Sequence, residues 1–343
     1  MPTSAMIGIK GTGAYFPKEK LDIKELANKY KFNYHSLLND HGVKQIHIAG
    51  PKEDELFMAT KAVQEALKDA KINAKDIDVV IFCKGITRQK TARTFSSMII
   101  ENLKAEEAAY GFDIDGGLIG GLIGIQVAND LIKNNYNIIN AVVVAAQEFD
   151  ELYLFKGNTS RINHMVFGDG SAAVVLSKEA NNNKILASNF VIDHYTNFID
   201  DILLKSLHED SKLQHFMQRF KTTAIVKNVQ NQKIISKMTE RWVENAYKVV
   251  DFCMKSINLD VSDINHFIKT QLSVKETKLL GERLKIDTAK IYNASSEKGH
   301  LGHADILYNL HTTLKSPNLK NLDIIALVTA NYDCSSGALV LRR

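Results

Sequence analysis

Apolar residues along the chain fall into two patterns. Short unbroken runs such as VVIFC at Val79–Cys83, AVVVAA at Ala141–Ala146 and AAVVL at Ala172–Leu176 lack the alternation of a half-exposed strand. Runs of that kind come from sheets covered on both faces. Between them lie stretches with helical spacing, at Asp54–Lys71, Gly120–Asn134 and Met238–Ile257. Strands alternating with amphipathic helices predict a layered α/β fold, with central mixed sheets flanked and separated by helices.

The pattern also repeats. Leu67–Cys83 lines up without gaps on Met254–Thr270, 187 positions later, so that Asp76-Ile77 falls on Asp263-Ile264 and Ile81 on Ile268. AVVVAAQ at Ala141–Gln147 echoes IALVTAN at Ile325–Asn331, 184 positions on, and GSAAVVL at Gly170–Leu176 echoes SSGALVL at Ser335–Leu341, 165 positions on. Buried strands resemble one another, so one match carries little. Three in the same order predict a duplicated α/β unit with its halves meeting near residues 178–186. The expected division is 1–180 and 181–343. Residues 196–232 break the second half with a polar, helical-looking stretch, read as an insertion or cap over a substrate entrance or as a plain surface excursion.

Composition narrows the function classes. With 343 residues, the chain has room for about two folding units at ~150 residues each, or one fold built twice. Its 43 Lys and Arg against 39 Asp and Glu give +4, spread without blocks, which argues against a dedicated nucleic-acid or membrane-surface protein. Cys83, Cys253 and Cys334 have neither metal-ligand nor disulfide spacing, so a reducing, cytoplasmic setting is expected. No export signal and no run of ~18 apolar residues is present.

Several strings resemble one family, the β-ketoacyl-acyl-carrier-protein synthase III branch of the thiolase-like enzymes. The opening from Ile9 to Asp22 is similar to its first strand and turn, and Gly42–Ala49 resembles its G-I-x-x-R-x-I-A segment. Phe112–Gly120 resembles the segment carrying the nucleophile, Phe167–Ala173 its FGDGAGA hallmark, and Cys334–Val340 its last strand. The matches run from about residue 7 to 341 in family order. The resemblance implies a thiolase-like duplicated fold, with two central mixed sheets in a five-layered α-β-α-β-α arrangement. The chemistry it implies is a decarboxylative Claisen condensation. A cysteine thiolate at a helix N-terminus takes an acyl group, and a histidine and an asparagine then stabilise the malonyl carbonyl oxygen.

All three positions differ here. The family cysteine falls on Leu118, its histidine on Thr270 and its asparagine on His300. A leucine can neither attack nor hold an acyl group. The residues matching the family's adenine grip are Ser36 and Asp40, and the only tryptophan, Trp242, lies elsewhere. Arg161 falls where the family places a second nucleotide-contacting arginine.

Remaining candidates for chemistry are few. His300, His303 and Asp305 form the densest cluster, with His300 readable as an acid or base in the old pocket or as a local space-filler. Their spacing is no established metal motif, and no metal or cofactor is expected. Cys334 is the cysteine with a route to the pocket, with Asp333 beside it raising its pKa; Cys83 and Cys253 read as core. Ser96, Ser97 and Glu148 are weaker candidates. The glycines of Gly116–Gly124 predict a buried helix closely approached by other backbones, with space beside Leu118 for an apolar tunnel.

Three functions stay open on this reading. One is a non-condensing partner of an active ketosynthase paralogue in fatty-acyl, polyketide or secondary-metabolite biosynthesis. Another is an acyltransferase or thioester hydrolase acting through His300 on acyl-coenzyme A or acyl-carrier protein. The third is an acyl-ligand-binding protein. The resemblance implies a dimer, either with itself or with the paralogue.

Overall fold

The computed structural model describes residues 6–30, 33–85, 92–105, 109–149, 166–193, 232–270, 273–292, 294–331 and 334–343. Among the described residues, ten strands form one sheet built of two sets of five. In the first, β1 (Gly8–Tyr15), β4 (Val79–Lys84), β5 (Tyr110–Asp115), β6 (Asn140–Gln147) and β7 (Gly170–Ser177) lie in the order β5-β4-β6-β7-β1. In the second, β8 (Lys184–Val191), β9 (Ile264–Lys269), β10 (Ile291–Tyr292), β11 (Ile324–Ala330) and β12 (Ser336–Arg342) lie in the order β10-β9-β11-β12-β8. In both sets the second strand pairs in parallel with the third and fourth, and the fifth runs antiparallel to the fourth and first. The two expected sheets are not separate, however. They join edge to edge at Gly8 and Lys184, where Ile9 N donates to Asn183 O at 3.1 Å and Ile185 N to Ile7 O at 2.9 Å. A small hairpin, β2 (Glu19–Asp22) and β3 (Gln45–Ile48), is linked through α1 (Ile23–Tyr30) and α2 (Tyr34–His41).

The repeat is visible to the residue. A capped 3-10 turn at Ala74–Asp76 leads into β4, and its counterpart at Val261–Asp263 leads into β9, with Asn73/Asp76 and Asp260/Asp263 forming matching capping boxes. Those turns are 187 positions apart, the spacing of the sequence echo.

Helices sort by the faces they cover. Outside the first sheet sits α3 (Glu55–Ala70), capped by Asp54 and ended by Lys71 in the left-handed region. Its Ala62, Ala66 and Ala70 lie against Gly11 and Gly13 of β1. A Cβ on Gly13 would fall 2.3 Å from the Ala62 carbonyl oxygen, so helix and strand backbones meet directly. Beside it, α4 (Phe95–Leu103) covers β4 and β5. Outside the second sheet lie α6 (Gln232–Ser256) and α7 (Val274–Leu284), with Trp242, Val250 and Met254 packed on Phe267, Val328 and Val340. The middle layer is α5 (Gly120–Asn134) and α8 (Asp305–Leu314). Their Leu122, Ile125, Ile306 and Leu310 share one core with Ile81 and Val143 of the first sheet and Ile268 and Leu327 of the second.

The glycines of α5 serve this packing differently from the expectation. Side chains approach them rather than backbones. A Cβ on Gly121 would meet Ile306 at 3.0 Å, and one on Gly124 would lie 2.7 Å from Cys83 Sγ and 2.8 Å from Val143. The space expected for a tunnel is filled at those two positions. Gly120 is the looser one, with Cys83 Cβ at 3.8 Å as its nearest neighbour. Gly124→Ala is therefore expected to cost about 1–3 kcal/mol by overpacking. Gly120→Ala, in an ordinary helical conformation, should raise stability by ~0.5–1 kcal/mol. Urea unfolding of both variants checks this, and equal midpoints would overturn the packing account.

Candidate functional site

The C-terminal ends of β5 and β9 and the starts of α5 and α8 meet in the middle layer. After β5 the chain turns through Gly116 and Gly117, whose φ of +55° suits glycine, into a 3-10 turn at Gly117–Ile119 and then α5. Leu118 sits on this elbow, 9% exposed. Asn331, just past β11, holds the elbow from the other half. Its Oδ1 accepts from Ile119 N at 3.2 Å, and its Nδ2 donates to Gly116 O at 3.3 Å.

His300 is placed by its backbone. His300 N donates to Val166 O at 2.8 Å, and Gly168 N donates to His300 O at 3.1 Å. The neighbouring Asp169 anchors this stitch, its carboxylate accepting from Ala49 N at 2.7 Å and Phe149 N at 2.6 Å while its N–H donates to His47 O. The imidazole lies against Phe167 and is 2% exposed. Its Nδ1 is 3.6 Å from Asp305 Oδ1, within ion-pair reach but too long for a hydrogen bond, and among the described residues neither ring nitrogen has a hydrogen-bond partner. Asp305 is itself held, accepting from Leu301 N at 3.3 Å and Asn309 Nδ2 at 3.2 Å.

The third arm is the end of β9. Thr270 N donates to Val328 O, while the covered hydroxyls of Thr270 and of Thr329 on the adjacent strand have no hydrogen-bond partner among the described residues. Beside Thr270 lies a group that reading the sequence missed. Lys269 is wholly buried, its Nζ 3.0 Å from Thr270 O, 4.8 Å from the centre of the Trp242 ring and 4.0 Å from Glu276 Oε2. Burial pushes the Lys269 ammonium below its ordinary pKa against the pull of Glu276 and Asp305. Burial likewise raises the Glu276 carboxyl, opposed by Lys269, His41 and His300. The available signal was a lysine two residues after Phe267 on an apolar strand, which places it on the same covered face.

The other candidates lie apart. The Cys334 thiol points to Met238 O on α6 at 3.7 Å, on the outer side of the second sheet, and Cys334 has a φ of +63°. Cys83 packs beneath α5, with burial pushing its thiol up to about 12; burial does the same to Cys253. Ser96 and Ser97 belong to the start of α4, their hydroxyls donating to Thr94. Asp40 lies on α2 and Glu148 just past β6. Arg161, Asp333, the Ser36 side chain and residues 196–231 of the expected cap lie outside the described residues. Clefts of about 320 Å³ at Lys10, Asp69 and Arg343 and about 610 Å³ along α7 lie away from Leu118, Thr270 and His300.

His303 gives this region a pH signature. Burial drives its pKa down from 6.5 to about 4, with His300 adding to the shift and the Ala146 backbone resisting it. Below pH 6.5 the unfolded chain takes a proton that the folded imidazole refuses. Stability is therefore full above that pH and falls by roughly 3 kcal/mol once the pH drops below about 4. Urea unfolding at pH 7, 5 and 4 should show this slope and show it reduced in His303→Gln; an unchanged slope in the variant would contradict the assignment.

Comparisons with known proteins match both halves of the chain. Residues 36–194 match the family of FAE1/Type III polyketide synthase-like proteins, and residues 254–343 the C-terminal family of 3-oxoacyl-[acyl-carrier-protein] synthase III. The β-ketoacyl-[acyl-carrier-protein] synthase III of Rickettsia bellii is 26% identical over 338 residues, 97% of this chain and 98% of the relative. That of Aquifex aeolicus is 25% identical over 335 residues, again covering 97% and 98%. Among solved structures, the Aquifex aeolicus synthase III superposes with a TM-score of 0.79 at 23% identity, covering 98% of this chain and all of that one. The priming β-ketosynthase of a polyketide biosynthetic pathway also superposes at 0.79, with 18% identity, covering 100% and 97%. Matched in order in both halves, the chain is similar to the β-ketoacyl-acyl-carrier-protein synthase III branch of the thiolase-like enzymes and shares the fold of the Aquifex aeolicus synthase III.

Proposed function

We propose that this synthase-III-like chain handles acyl thioesters of fatty-acid or polyketide biosynthesis without a covalent cysteine step, as the non-condensing partner of an active relative. The observation that carries the reading is Leu118 on the elbow between β5 and α5. The resemblance puts the nucleophile there, and an alkyl side chain has no lone pair to offer. No described thiol replaces it, since Cys83 packs below the helix and Cys334 faces α6. The acyl-carrier protein is the expected carrier because the relatives are named for it. A dimer is supported by β5, which among the described residues pairs on one side only, with β4, and leaves Tyr110 52% exposed at the sheet edge.

A second reading has its own support. The buried, unpartnered His300 imidazole beside Asp305 is arranged as an acid or base, which fits thioester hydrolysis or acyl transfer.

Two experiments separate these readings from condensation. Incubated with acetyl-coenzyme A and malonyl-acyl-carrier protein, the wild-type protein should form no 3-oxoacyl product. Leu118→Cys should gain a hydroxylamine-labile acyl adduct by intact mass, still without condensing until Thr270→His and His300→Asn are added. Condensation by the wild type would overturn the proposal. In parallel, thiol release from hexanoyl thioesters tests the second reading. Release that falls about 100-fold or more in His300→Ala would establish it, and none from folded wild-type protein would exclude it.

A further inference from the structure

One lysine has surroundings unlike those of an ordinary surface charge. Lys298 is half-buried just past the 3-10 turn at Ser295–Glu297. Its Nζ lies 3.3 Å from His47 Nε2 and 4.6 Å from the centre of the Phe16 ring. His47 belongs to β3 and is covered, with Nδ1 2.6 Å from Pro17 O. A carbonyl oxygen only accepts, so Nδ1 carries the proton and Nε2 presents its lone pair to the lysine. The contact joins an amine to a neutral base.

The charges around the amine favour its neutral form. Among the described residues no carboxylate pairs with Lys298, and the adjacent Glu297 reaches Lys44 Nζ instead, at 3.9 Å. Lys20, opposite His47 across the β2–β3 hairpin, adds a second positive charge. Burial first, and then Lys20, lower the Lys298 pKa against the pull of Glu297. Burial also lowers that of His47, opposed by Pro17 O and reinforced by Lys298 and Lys20. The titratable groups facing Nζ are thus His47 from β3, Lys20 from β2 and Glu297 from its own turn. The Phe16 ring attracts the ammonium through its face, and offers the same apolar face to an uncharged amide.

We propose that Lys298 is an acyl-acceptor site, taking an acyl group from a thioester onto Nζ as a stable amide with His47 as its base. This rests on the acyl-thioester reading above, and it adds a covalent acceptor that needs neither Leu118 nor a thiol. The step balances without further reagents. The neutral Lys298 amine attacks the thioester carbonyl carbon, and a C–N bond forms. His47 Nε2 takes the proton that Nζ sheds, the C–S bond breaks, and that proton ends on the departing thiolate. The products are an Nε-acyl-lysine and a free thiol. The amide N–H still donates to His47 Nε2, so the contact survives the reaction. Loss of the lysine charge also removes one of the groups that hold the His47 pKa down.

The test incubates the full chain with hexanoyl-coenzyme A over a range of pH, followed by intact mass, hydroxylamine treatment and peptide mapping. A hydroxylamine-resistant hexanoyl group should appear on Lys298 about 10-fold or more faster than on Lys44. Only the neutral amine attacks, so the rate should rise with pH and level off at a lower pH than for an ordinary lysine. Lys298→Arg keeps the charge and should lose the adduct with its unfolding midpoint unchanged. His47→Gln retains a donor toward Pro17 O and should slow labelling at Lys298 but not at Lys44; unchanged labelling would overturn His47 as the base. No adduct, or labelling of Lys298 no faster than of Lys44, overturns the acceptor site and leaves the Leu118 reading standing. A hydroxylamine-labile adduct on a cysteine overturns the Leu118 reading, whatever the rate at Lys298.

Discussion

Everything at the site depends on two sheets sharing one apolar layer. Because α5 and α8 are clamped between them, each helix is buried on two sides and its start is fixed by both halves of the chain. The close fit is enforced at Gly121 and Gly124, where no Cβ can be accommodated without displacing Leu307, Ile306, Cys83 or Val143. Fixing the helices also fixes what precedes them. The Leu118 elbow is held by Asn331 from the second half, and the His300 loop by Val166 and Gly168 from the first. The elbow and the His300 loop are thus each held by contacts from the opposite half of the chain.

A layer built this way handles polar groups at high stakes. Asn309 shows the satisfied case: its amide donates to the Lys269 carbonyl and the Asp305 carboxylate, and its oxygen accepts from Ala294 N. The same low dielectric that strengthens those bonds penalises any buried group left without one. Lys269 and Glu276 respond with pKa values moved toward their neutral forms, and His303 resists protonation for the same reason. Burial is the first cause in all three, ahead of any partner.

Much of the fold was legible because it is periodic. The 187-position echo captured the 3-10 turns and parallel strands of both halves, since capping boxes and apolar strands are local in sequence. The joining of the two sheets at Gly8 and Lys184 was not legible, because edge pairing leaves no pattern in either strand. Leu118, Thr270 and His300, singled out by the motif resemblance, lie on the elbow, just past β9 and on the stitched loop. Lys269 was missed although it neighbours Thr270. Adjacent strand residues face opposite sides, and no local signal says that the outer side is closed by Trp242 and Glu276. Cys334 illustrates the converse: near the elbow in sequence terms through Asn331, it turns its thiol to the far face of the sheet.

The orphaned groups decide what kind of occupant the middle layer expects. A buried polar atom without a partner costs about 1–3 kcal/mol, and among the described residues the Thr270 and Thr329 hydroxyls and both His300 nitrogens are such atoms. Summed, that penalty is of the order of the whole net stability of a domain, ~5–15 kcal/mol. A fold kept only as a scaffold gains nothing from such atoms, since a valine in place of Thr270 and a leucine in place of His300 would remove the penalty. Water or the polar end of a ligand removes it too. The residues at these positions therefore favour a polar occupant of the middle layer, water or the polar end of a ligand.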